Sequence, residues 1–76
     1  MSQLSSKVLE VSIPYLGPAA KIFLERQTIR HLKHLQFDDL KKENLPELAF
    51  WVNASGSLII EPKKSEELSK KILSLN

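Results

Sequence analysis

His31 and His34 lie three residues apart, a spacing that on a helix could bring two imidazoles to one metal ion. No third ligand accompanies them and Lys33 stands between, so the pair reads as packing or solvated residues. Asp38 and Asp39 are adjacent, and neighbours on a helix project in different directions, so they read as cap and surface residues rather than a paired acid and base. Gly17-Pro18-Ala19-Ala20-Lys21 has the outline of a phosphate loop without its further glycines or its Gly-Lys-Ser/Thr ending, and it reads as a helix start. Asn53-Ala54-Ser55 fits a glycosylation acceptor, but it falls inside a helical pattern in a chain with no secretion signal. No residue set here calls for catalysis, a metal or a cofactor. A helical chain of 76 residues also has little interior in which to build a reaction site, so the expectation is a protein that is not an enzyme.

Charge offers more. Arg26, Arg30 and Lys33 fall at i, i+4 and i+7, which on a helix makes a basic stripe, with Lys21, His31 and His34 nearby and Glu25 the one acid of that segment. Such a stripe can meet phosphates, an acidic protein surface or anionic lipid, or serve as the solvated face of an amphipathic helix. Nucleic acid is disfavoured on two grounds. The formal charge is only +2, and the segment that would enter a groove, residues 46–60, carries no Arg or Lys.

The elements that must position these groups read as all-α. Two glycines and four prolines punctuate runs of Leu, Lys, Glu and Ala, which favours helix on intrinsic propensity. A first helix over residues 5–12, capped by Ser5 or Ser6, places Leu4, Val8, Val11 and Tyr15 on one stripe and Leu9, Ile13 and Leu16 on another. Pro14 and Gly17-Pro18 should then break the chain, and Pro18 suits the first turn of a second helix over 18–34. Phe37 to Glu43 forms a short polar segment of one or two helical turns. With Asn44 as cap and Pro46 as its first residue, a third helix over 46–60 puts Leu48, Trp51, Val52, Ser55, Leu58 and Ile59 on the core face, Trp51 as its anchor. The run Leu58-Ile59-Ile60 could instead be a short strand, but no second strand exists to pair with it. Pro62 ends this element, and Ser65-Glu66-Glu67 opens a last helix lined by Leu68, Ile72 and Leu75. The architecture expected is a compact bundle of four main helices plus one short helical segment.

One small domain over residues 1–76 is all the length allows, and it buries only roughly 60% of the surface of its unfolded chain. The sequence has no cysteine, which points to a reducing, intracellular setting. No apolar run approaches the ~18 residues of a membrane span, and Met1-Ser2-Gln3-Leu4 lacks the features of a signal peptide, so a cytoplasmic protein is expected.

The order Tyr15-Leu16-Gly17-Pro18-Ala19-Ala20-Lys21, then Leu45-Pro46-Glu47-Leu48, then Leu58-Ile59-Ile60 and Glu67-Leu68-Ser69-Lys70-Lys71-Ile72 resembles small helical modules of bacterial signalling proteins that open a helix with Gly-Pro-x-Ala-Lys. That resemblance implies a regulatory or scaffolding role and no particular activity. This chain departs from the usual context in standing without an attached kinase or receiver domain. From the residues themselves, Leu9, Ile13, Phe50 and Ile60 exceed what one small core can cover, and they are the residues expected to meet a protein partner or a second copy. The sequence therefore predicts a protein-interaction module, with nucleic-acid binding through Arg26, Arg30 and Lys33 as the alternative.

Overall fold

The computed structural model describes residues 2–75 and shows an all-α compact globule. Helix α1 (Gln3–Leu16) leads through a 3-10 turn (Gly17–Ala19) into α2 (Ala20–His31); 3-10 turns at Phe37–Asp39 and Lys42–Asn44 precede α3 (Leu45–Gly56), and α4 (Pro62–Leu73) closes the chain. Counted as unbroken helical runs these are three, residues 3–31, 42–56 and 62–73, with a lone 3-10 turn at Phe37–Asp39, and not the four separate helices expected.

The difference begins at Pro14. A proline in the last turn of a helix removes one hydrogen bond, and α1 absorbs that loss and continues to Leu16, where the Gly17 N–H closes it on the Ile13 carbonyl. The chain then turns at Gly17, whose φ of 63° and ψ of −149° lie in a region that side chains disfavour. Pro18 restarts helical geometry at once, so a bend replaces the expected gap. At the other end of α1 the cap is Ser2, not Ser5 or Ser6: its Oγ accepts from the Ser5 N–H at 3.1 Å. Ser5 is buried there, its hydroxyl donating to the Ser2 carbonyl at 2.9 Å.

The second helix stops earlier than expected, at His31. Leu32 carries the last helical bond, to the Thr28 carbonyl, and Lys33 and His34 both adopt positive φ, 56° and 59°. Backbone of this kind is uncommon outside glycine, and here it turns the chain so that Leu32 and Phe37 reach the core and Leu35 packs against it. The Phe37 to Glu43 segment consists of 3-10 turns, with Phe37 and Leu40 buried. Asn44 does not cap α3 through its side chain; its Oδ1 accepts from the Lys41 N–H at 2.9 Å, closing the preceding turn.

Helix α3 lies at the centre. Its inward face is Leu45, Leu48, Ala49, Val52 and Gly56, packed against Val8, Leu24, Leu68 and Ile72. α4 runs antiparallel to it at close range, held by two buried hydroxyls. Ser65 Oγ donates to the Asn53 and Val52 carbonyls (2.8 and 3.3 Å) and Ser69 Oγ to the Ala49 carbonyl (2.8 Å). A Cβ on Gly56 would stand 2.7 Å from Ser65 Oγ, so the approach needs glycine at that position. The intimacy of this pair rotates α3 away from the expected face: Trp51 is half-buried rather than the core anchor, and Leu58 and Ile59 lie beyond the helix end. α4 itself starts one turn earlier than expected, with Pro62 as its first residue, and presents Leu68 and Ile72 to the core as the spacing required.

Candidate protein-binding surface

The connection between α3 and α4 carries Leu58, the most exposed large apolar residue among the described residues, with exposed Ile59 beside it. After Gly56 the chain winds tightly, with Leu58 N–H bonded to the Ser55 carbonyl (3.1 Å) and the Ile59 and Ile60 N–H groups both to the Gly56 carbonyl (2.9 Å each). This is neither the helix nor the strand that the sequence allowed. Pro62 explains the exit: the residue before a proline is driven to extended backbone, and Glu61 has φ −56° and ψ 138°. The turn leaves Leu58 85% and Ile59 60% exposed, against zero for Leu48 and Val52 two turns earlier.

Beside this tip runs a groove of about 640 Å³ between the end of α1 and α4. Pro14, Tyr15, Ile59 and Ile60 give it an apolar lining, and the exposed residues Glu61, Lys64, Glu67 and Lys71 form its charged rim. Tyr15 is fixed in place, its hydroxyl donating to Glu67 Oε1 at 2.9 Å while Lys71 Nζ sits 5.1 Å from the ring centroid. The Tyr15 hydroxyl, by hydrogen bonding first and charge second, raises the Lys71 ammonium above the ordinary lysine value, with a smaller contribution from the Glu67 carboxylate. The Tyr15 ring, bonded to an acid and flanked by a cation, forms one wall of the groove.

The four residues expected to meet a partner are not brought together. Ile60 belongs to the groove just described. Ile13, half exposed, and Leu9, half-buried and packed against the core, share a second, apolar groove of about 320 Å³ with Gly17, Pro18, Ala20 and Lys21. Phe50 stands elsewhere, 62% exposed on α3, with its ring edge-on to Trp51 at 5.1 Å. On its other side Trp51 stacks on His31, centroids 3.7 Å apart and rings 5° from parallel. His31 thus packs on an indole, and His34, beyond the helix end, does not share its helical face.

The basic stripe is likewise shortened. Arg26 and Arg30 remain exposed one turn apart on α2, flanking Ile22 and Ile29 in a shallow depression, but Lys33 has left the helix and takes no place in the register. Among the described residues no cluster of three or more His, Asp or Glu side chains could hold a metal ion, and no helix is long and apolar enough to cross a membrane. Leu58 and Ile59 are the residues that sequence reasoning missed, because it placed both on the core face. Pro62, already read as ending this element, gives no signal for a stop at Gly56; the local cue is the pair Gly56-Ser57, poor in helix propensity, at which α3 ends.

The chain matches no protein-family model, no curated protein and no solved structure.

Proposed function

We propose that this protein is a non-enzymatic protein-interaction module, with a regulatory or scaffolding role, that binds another protein surface through the α3–α4 turn. The observation that carries this reading is the adjacent pair Leu58 and Ile59, held out of the core by a hydrogen-bonded turn. Large aliphatic residues side by side on a surface weaken solubility unless something covers them, and transfer of each from water is favourable by about 1.5–3 kcal/mol when fully buried. The flanking groove, with its tyrosine wall and charged rim, supplies what an interface centre needs: an apolar lining, an aromatic anchor and polar edges. The resemblance to small helical modules of bacterial signalling proteins supports the same role, and the lack of cysteine supports a cytoplasmic seat for it.

The test is site-specific photocross-linking in cells. A photoreactive residue at position 58 is expected to give a discrete adduct, while the same residue at position 25, exposed on α2 outside the α1–α4 groove, gives none. No adduct at position 58 would contradict the reading.

A further inference from the structure

We infer that the partner on this face is a second copy of the same chain, bound about a two-fold axis. The inference rests on the protein-binding reading and adds the identity of the occupant. In a two-fold dimer the same patch lies on both sides, so it must complement itself in shape and in charge. The rim of the α1–α4 groove meets the charge condition, because it carries two carboxylates, Glu61 and Glu67, and two ammonium groups, Lys64 and Lys71. An acidic partner would face the two glutamates and a basic one the two lysines, and like charges brought together at an interface select against such partners. A copy turned by half a rotation can set each acid against an ammonium group.

Shape agrees with charge. Leu58 projects beside the groove that Ile59 lines together with Pro14, Tyr15 and Ile60, so an exposed tip and an apolar receptor occur on one face of one chain. The α2 face fails the same condition. Its depression is flanked by Arg26 and Arg30 against the single acid Glu25, and self-pairing there would bring like charges together.

The experiment is sedimentation equilibrium on the full chain, with circular dichroism confirming that each variant is folded; Glu61, Lys64 and Leu58 are all exposed, so the core does not depend on them. The wild type is expected to sediment as a reversible dimer of the 8.7 kDa chain. Lys64→Glu leaves the rim mostly acidic and Glu61→Lys leaves it mostly basic, so each alone should weaken self-association by at least about ten-fold. An equimolar mixture of the two variants should recover a dimer, since the reversed charges now face each other. Leu58→Asp should abolish dimers in every combination. A wild-type monomer up to millimolar concentration overturns the inference, and so does a dimer indifferent to both charge reversals. A monomeric wild type whose position 58 still cross-links to a different protein would remove the second copy and leave the protein-binding reading standing; absence of both would remove both.

Discussion

At the scale of single residues, the structure separates side chains that hold the fold from side chains that stand outside it. Trp51 is the large aromatic that the helical spacing assigned to the core, yet it is half-buried and stacked on His31. Trp51→Ala should therefore cost about 1–2 kcal/mol, below the ~3–5 kcal/mol of a fully buried tryptophan, and leave a folded chain by circular dichroism. The stack has its own signature, because an imidazole lying face-on to the indole sets the environment of this sole tryptophan, so His31→Gln should shift Trp51 fluorescence while leaving the far-ultraviolet circular dichroism unchanged. Gly56 and Ser65 form a coupled pair. Gly56→Ala gains helix propensity of about 1 kcal/mol but drives a methyl into Ser65 Oγ, so it should be net destabilising in urea unfolding. Ser65→Ala in the same chain leaves only ordinary contact with the Ser65 Cβ position at 3.5 Å, and the double-mutant cycle should show a coupling above about 1 kcal/mol. The Lys71 contribution varies with pH. Its raised value means that the stabilisation it gives is complete below about pH 10.5 and is lost as pH rises beyond that, so the melting-temperature difference between wild type and Lys71→Met should shrink in strong alkali.

At the scale of elements, helical class, the early helical prolines and the inward face of α4 were legible in the sequence. Pro18 and Pro46 fall in the first turn of a helical element, where a missing N–H is harmless, and Leu68 and Ile72 are buried at the spacing that placed them there, whereas Pro62, read as ending the preceding element, opens α4. What was not legible has a common cause: periodicity assigns a face without knowing where the helix ends or what docks on it. α3 turned toward Ala49, Val52 and Gly56 because α4 packs closely there through Ser65 and Ser69, a tertiary preference that no spacing of Trp51, Leu58 and Ile59 reveals. The basic stripe lost Lys33 because the chain leaves α2 through two successive positive φ values at residues without the usual glycine signal. Gly17 is the opposite case, a glycine used for its backbone. With φ 63° and ψ −149° and open space around its Cβ position, Gly17→Ala should cost about 1–3 kcal/mol from backbone strain alone, read as a lower urea midpoint with an unchanged slope.

At the scale of the whole molecule, the candidate binding residues read from sequence divide among three separate surfaces, and only Ile60 falls beside the exposed tip. The reason is again the end of α3, which converts two expected core residues into the most prominent feature of the surface. The nucleic-acid alternative weakens with the loss of Lys33 from the stripe. Two arginine contacts would give a salt slope of about −1.8, so fluorescence anisotropy with duplex DNA should find weak, sequence-indifferent binding that falls about ten-fold between ~50 and ~200 mM salt. The measurement that goes most directly to the central claim is a set of amide-resolved nuclear magnetic resonance spectra of the wild-type chain from micromolar to millimolar concentration. Concentration-dependent shifts should gather on residues 57–61, Tyr15, Lys64 and Lys71 and leave Phe50, Arg26 and Arg30 unmoved. Spectra that do not change with concentration, or shifts centred on Phe50 and His31 or on Arg26 and Arg30, would contradict a dimer built on the α3–α4 turn.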